Sequence, residues 1–250
     1  VKLINTIFPL ALFLSANAHA SEDFTNSIQG DLGIFANVSS NPIRGVGNSS
    51  TVLPYAYFDY GRVFTRIDTF GIKTVPVGYG HLELVGRIKL DGYQTAGIAE
   101  LNGITDRQNP APIGIGTFQL TPIGAFFLYA FYDANSSHGN IYEAVYAAKF
   151  PLGEMAVYPQ LGIEQYSSEY TQYYYGVSAA ESLTSGYASY IPTASTNRSF
   201  RLMLEVPLNY GWFADFYLQR KWLGAAITGS PLVNTQFADN GFAALVYHFK

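Results

Sequence analysis

Beyond residue 20 the chain has three histidines, His81, His138 and His248, and each has neighbours that bear on chemistry. His138 follows Ser136 and Ser137 in the hydrophilic stretch Asp133–Asn140. A nucleophilic serine needs an imidazole aligned with its hydroxyl and a third group to orient that imidazole. Adjacency in a solvated turn supplies neither. His81 and Glu83 fall on one face of an alternating run, a two-ligand start for a metal with no third ligand in view. Asp133 and Asp239 lie in separate loops, so they do not read as the paired acids of a protease. His248 alternates onto the inward face of the last run. With no cysteine in the chain there is no thiolate nucleophile and no disulfide framework. No catalytic, cofactor or metal site is expected.

The elements that must position these residues are unusual in composition. Aromatics make up 16% of the chain and charged residues only 13%, about half the share of a soluble domain. After residue 20 the apolar residues come in short pieces, none long enough for a helix to span a bilayer. Residues 1–20 read as a secretory signal peptide: Lys2, an apolar core from Ile7 to Leu14, and Ala18-His19-Ala20 before a cleavage at Ser21. The formal net charge of −4 argues against nucleic acid as a partner. An exported chain of this kind predicts one all-β domain over residues 21–250, a transmembrane antiparallel up-and-down β-barrel set in outer-membrane lipid. A secreted β-sandwich or lipocalin-like barrel is the soluble alternative, and it does not need Phe and Tyr on both faces.

Alternation supports the barrel. Near the C-terminus Ala243, Leu245, Tyr247 and Phe249 share one face. Trp212, Ala214, Phe216 and Leu218 form another lipid-side face, with Asp215, Gln219 and Lys221 opposite. Leu202, Leu204 and Val206 oppose Arg201 and Glu205. Arg201, Glu205, Asp215, Gln219 and Lys221 are therefore expected to face the lumen, where their mixed charges could pair and leave at most a narrow channel. No helical period competes. About eleven runs are visible, while single-chain bacterial barrels have even strand numbers. A barrel of 10–12 strands, best 12, is expected. Either one strand hides in 91–112 or two N-terminal runs are one. Segments 39–50, 91–112, 133–140, 167–198 and 223–240 read as loops.

The most distinctive stretch is Gln172–Pro192, QYYYGVSAAESLTSGYASYIP. With the C-terminus in the periplasm, it falls in an outer loop. Two readings stay open. In one, Tyr166, Tyr170, Tyr173, Tyr174 and Tyr175 form an interfacial aromatic belt beneath a packed loop. Alternatively the loop folds over the lumen, with Glu181, Tyr187 and Tyr190 contacting a ligand or gating a pore.

The same stretch resembles the hallmark segment of the MltA-interacting protein family, also called MipA/OmpV. ITGSPLV (Ile227–Val233), YHF (Tyr247–Phe249), Ser40–Arg62 and the pieces GRIKLDGY and LNGI agree with it. The chain departs from the pattern by ending in Lys250 after the terminal aromatic. The resemblance implies a non-enzymatic outer-membrane protein of a Gram-negative bacterium. It also implies a scaffold that links a membrane-bound lytic transglycosylase to a bifunctional penicillin-binding protein. Other members are described as adhesins or antibiotic-response porins, so a narrow pore or a surface adhesin using the Tyr-rich loop is the alternative. No catalytic residues carry over. Peptidoglycan enzymes work in the periplasm, away from the hallmark loop, so either the scaffold surface is the short-turn side, around PLGE and PLNYG, or the peptidoglycan role does not belong to the hallmark.

Overall fold

The computed structural model describes Phe24 and residues 26–249. Residues 1–20, expected from the sequence to be a signal peptide, and Lys250 lie outside the described residues. The strands are β1 (Gln29–Ser39), β2 (Ser49–Tyr60), β3 (Val63–Arg66), β4 (Thr69–Val77), β5 (Gly80–Arg87), β6 (Pro112–Thr121), β7 (Gly124–Asp133), β8 (Asn140–Ala147), β9 (Phe150–Leu152), β10 (Met155–Tyr166), β11 (Ser195–Pro207), β12 (Trp212–Trp222) and β13 (Phe237–Phe249). Neighbours pair antiparallel throughout, and β1 closes on β13 from Gly30 opposite Phe249 to Ser39 opposite Asn240. β8 and β9 are halves of one barrel strand, since both pair with β10. The break falls opposite Pro159, which has no N–H to give the ladder, so only the Ala148 N–H to Pro159 carbonyl bond bridges it. The barrel is thus closed and twelve-stranded. Among the described residues no helix is long and apolar enough to cross a membrane.

The twelfth strand is in neither place the sequence suggests. Residues 91–112 hold a 3-10 turn at Ala99–Leu101 and an isolated Tyr93–Arg107 bridge before β6 begins at Pro112. Instead the single run from Arg62 to Lys73 is two strands, β3 and β4, folded back at Ile67–Asp68. The turn escapes notice because it has no Gly, Pro or Asn. Ile67 itself takes φ 66°, which a β-branched residue rarely adopts.

Short turns at 61–62, 78–79, 122–123, 153–154 and 208–211 mark one end, and long loops at 40–48, 88–111, 134–139, 167–194 and 223–236 mark the other. In such barrels the short turns lie in the periplasm. Alternation follows the pleat. Leu161 and Ile163 of β10, and Phe216 and Leu218 of β12, are exposed to the lipid side. Glu164 and Tyr166, and Asp215, are buried on the inner side.

Ion pairs link several strands across the inner face. Glu143 accepts from Arg87 at 2.7 Å and Arg201 at 2.6 Å. Glu164, directly opposite Glu143 across the β8–β10 ladder, meets Lys221 at 2.7 Å and Lys89 at 3.4 Å and accepts from the Tyr166 hydroxyl at 2.7 Å. Asp59 lies 2.9 Å from both Arg66 and Lys73. Removing one partner from such a buried group strands charges that cannot reach water. Glu143→Ala leaves Arg87 and Arg201 buried without their carboxylate. It is expected to cost about 3–5 kcal/mol, read as a lower denaturant midpoint of the refolded barrel in lipid vesicles. Leu161→Ala on the lipid face should move that midpoint much less.

Candidate functional site

The hallmark loop folds into a cap. Residues 167–194 form α1 (Ser168–Tyr175) and α2 (Ala179–Ser185), and loop 223–236 adds α3 (Ala225–Thr228). No helix was expected from the sequence. At two turns, α1 and α2 are too short to show a period, and they depend on their caps. The Ser167 hydroxyl accepts from the Tyr170 N–H, and Ser178 with Glu181 forms a reciprocal capping box at the start of α2.

Nor do the tyrosines form a belt at the lipid interface. Tyr166, Tyr170, Tyr174 and Tyr175 are buried inside, in one cluster with Ile43, Tyr93, Leu101, Ile227 and Leu232 from the other long loops. A tyrosine ring can be buried where its hydroxyl finds a hydrogen-bond partner, and here the cap supplies the partners. Tyr170 donates to Asp91 at 2.8 Å, Tyr174 to the Gln108 carbonyl at 2.9 Å, and Tyr93 to the Tyr174 carbonyl at 3.0 Å. The Ser230 hydroxyl donates to the Tyr175 carbonyl at 2.6 Å. Burial pushes the phenols of Tyr170 and Tyr175 well above their ordinary value, with nearby Asp91 adding to it.

Glu181 is the centre of this cap. It accepts from the Thr105 N–H at 3.1 Å, the Thr105 hydroxyl at 2.6 Å, Arg107 at 2.8 Å, and the Ser178 N–H at 3.0 Å. Burial opposes its ionisation, but these hydrogen bonds outweigh it and hold the carboxyl down at about 2. Arg107 also donates to the Tyr173 carbonyl at 2.5 Å, and the Tyr173 hydroxyl accepts from the Gln108 N–H. Gly103 (φ 83°) lies so close to α2 that a Cβ there would sit 2.5 Å from the Thr184 carbonyl carbon. Tyr187 donates to the Glu100 carbonyl at 2.9 Å and Tyr190 to the Ala226 carbonyl at 3.0 Å. Tyr173, Tyr174, Tyr175, Glu181, Tyr187 and Tyr190 thus all come together over the outer mouth, each bonded to the chain's own loops.

The five inward residues of β11 and β12 divide. Arg201 and Lys221 enter the ion pairs already described. Gln219 accepts from the Tyr217 hydroxyl at 3.0 Å, and Glu205 accepts weakly from Tyr158 at 3.4 Å. Asp215 is only 2% exposed, and its Oδ1 has no hydrogen-bond partner. The hydrolase constellation does not assemble. Ser136 and Ser137 turn their hydroxyls to Asp133 at 2.9 and 2.6 Å, while His138 reaches Tyr132 at 3.3 Å. Asp239 pairs with Arg220, and His248 with Asp31 at 2.8 Å. The sequence reading missed Arg107, Glu143 and Glu164. The Ser-x-x-Glu spacing at 178–181 was the available signal for the α2 cap; the cross-barrel pairs had none.

A closed twelve-stranded barrel with a lipid-facing apolar belt, short turns at one end and packed loops at the other is an outer-membrane β-barrel. A profile of the family described as MltA-interacting protein MipA matches residues 32–249, and the chain belongs to that family. It is similar to the MltA-interacting protein of Escherichia coli strain K12, 25% identical over 159 residues, which is 62% of each chain. The chain therefore spans less than two thirds of that relative's length. It is also 25% identical over 190 residues to "Putative outer membrane protein YiaT" of the same strain, 74% of each chain.

Acid should loosen the cap. The Glu181 carboxyl is lowered on folding, so its contribution is complete above its unfolded value near ~4.3. It is lost as pH falls through that value towards about 2. Hydrogen-exchange protection of the Thr105 and Ser178 amides should fall over that window. In Glu181→Gln it should be weaker and flat across it.

Proposed function

We propose that this chain is a non-enzymatic outer-membrane scaffold that docks a peptidoglycan-cleaving lytic transglycosylase on its periplasmic turns. A bifunctional penicillin-binding protein is the second partner of the assembly. Two features support the reading. The outer end is taken up by its own loops, and Ser136, Ser137, His138, His248 and Asp239 are turned to structural partners, whereas the short-turn end exposes apolar side chains.

The observation that carries the proposal is Tyr210. It stands at the tip of the β11–β12 turn, 93% exposed, with φ 61°, and is followed by Gly211 at φ 82°. A left-handed conformation costs an ordinary residue roughly 1–2 kcal/mol. Two-residue hairpin turns of this hand prefer Asn or Gly. A large aromatic at such a place gains nothing for the barrel, whereas exposed tyrosines are favoured anchors of protein interfaces. Leu208, Tyr79 and Ile123 are also exposed at this end. Together they offer an apolar start for an interface that must bury about 1,200–2,000 Å² in all.

Tyr210→Gly separates docking from folding, because glycine relieves the strained backbone. The variant barrel should refold fully, with unchanged heat-modifiable mobility, and should bind the soluble domain of a lytic transglycosylase at least tenfold more weakly in a titration. Tyr210→Phe should retain affinity. Equal affinity of wild type and Tyr210→Gly, or no binding by wild type at tens of micromolar, would overturn the proposal.

A further inference from the structure

The barrel wall is incomplete beside β2. On one side β2 pairs with β1 along its whole length, from Asp59 opposite Gln29 to Ser49 opposite Ser39. On the other it pairs with the four-residue β3 only from Tyr57 to Tyr60, and one further bond joins the Ile67 N–H to the Ala56 carbonyl. Above that point, among the described residues, no backbone hydrogen bond from another strand reaches the second edge of Ser49–Pro54. All six residues are exposed, whichever face they belong to. The gap is a framed window. Its sill is the Ile67–Asp68 turn. Its far jamb is the end of β5 and the segment after it, where the Ile88 N–H bonds the Asp68 carbonyl. Its lintel is the contact of Gly45 with Ile98, so close that a Cβ on Gly45 would sit 2.5 Å from the Ile98 side chain.

The frame of the window is apolar. Val52, Ile88 and Leu90 are exposed on its frame, Val52 at 71%. Strand addition from a partner is disfavoured. The Ala56 carbonyl faces β3, so Pro54, two residues on, faces the same edge and has no N–H to offer it. On the lumenal side the window gives onto an aromatic cluster of Phe35, Tyr55, Ala244 and Val246, with Phe242 and Ile67 packed against it. The Ile67 side chain is held there by its left-handed backbone, a strained arrangement of the kind that collects at functional sites.

One row of the ladder runs inward from the frame. Leu53 lies opposite Phe35, Phe35 opposite Ala244, Ala244 opposite Asp215, and Asp215 opposite Glu205. The first three are apolar and the last two are acids. Like charges directly opposite each other are unfavourable. Unlike Glu143 and Glu164, neither Asp215 nor Glu205 has a cation within 4 Å among the described residues. The Tyr55 hydroxyl lies against the Asp215 carboxyl, but the buried Oδ1 of that carboxyl still lacks a donor. Three strand spacings separate Leu53 from Asp215, roughly 14 Å.

We propose that this window admits a single-chain cationic amphiphile from the outer leaflet, with its ammonium against Asp215 and Glu205 and its alkyl chain along Ala244, Phe35 and Leu53. The probe is dodecylamine carrying a photoreactive diazirine in its chain, with the matching dodecanoic acid as control. The full barrel is irradiated in phosphatidylcholine nanodiscs, and adducts are mapped by mass spectrometry. The amine should label Phe35, Leu53 and Tyr55 at least tenfold more than the acid does. Asp215→Asn should abolish that preference. Leu53→Trp, which narrows the frame, should reduce labelling of Phe35 and leave that of the lipid-facing Leu161 unchanged. Where Asp215→Asn loses its heat-modifiable mobility, Glu205→Gln serves in its place. Adducts confined to lipid-facing residues such as Val52 and Leu161, or equal labelling by amine and acid, would overturn the proposal.

Discussion

Two carboxylates facing each other inside a membrane protein set the terms for the rest of this structure. Glu143 and Glu164 are direct cross-strand neighbours, buried on the inner side. Alone they would repel and pull the ladder apart. Arg87, Arg201, Lys89 and Lys221 bracket them, and these cations come from β5, β11, β12 and the segment after β5. The arrangement fixes register on one side of the barrel, because slipping a strand by one residue would turn its charge out to the lipid. Charges at bilayer depth are costly, and pairing of this kind offsets the cost.

The lumen is consequently two different interiors. The side built by β5, β8, β10 and β11 is ionic. The side built by β12, β13, β1 and β2 is aromatic, with Phe35, Tyr55 and Phe242 within 5.2–6.2 Å of one another by ring centroids. The short β3–β4 hairpin lies where the two meet, so the wall is lowest next to its apolar half. Above both, four long loops share one hydrophobic cluster, and the polar tips of its tyrosines are satisfied by carbonyls and carboxylates of neighbouring loops. The ends therefore have opposite characters: the loop end is occupied by its own contacts, and the turn end exposes Tyr210, Ile123, Tyr79 and Leu208.

Much of the barrel is legible in the sequence. Period-two alternation in WFADFYLQRKW and FAALVYHF gives strands, faces and the inward charges, because a sheet with lipid on one side tolerates no ambiguity about which residue points out. Loop positions follow from Gly, Ser, Asn and Pro. What hid was of two kinds. The β3–β4 turn was invisible because Ile67 takes a conformation that sequence rules give to glycine. The pairing of Glu143 with Arg87 and Arg201 was invisible because 56 and 58 residues separate the partners in sequence. Only the closed barrel brings them together. The cap was half legible. Ser178 and Glu181 mark a helix start, but the second use of the same carboxylate, on Thr105 and Arg107, belongs to a loop more than seventy residues away.

The cap also joins the two ends of the chain. Ile43, just after β1, bridges Val233, just before β13; the Arg44 N–H bonds the Leu232 carbonyl, and its guanidinium the Pro231 carbonyl. These contacts exist only when the first and last strands are already side by side. Leu232 and Val233 belong to the same cluster as Tyr174 and Tyr175, so a barrel with an open seam would keep its tyrosines wet. The hallmark segment is in that sense a latch on assembly: its rings go dark to solvent once the cylinder is shut.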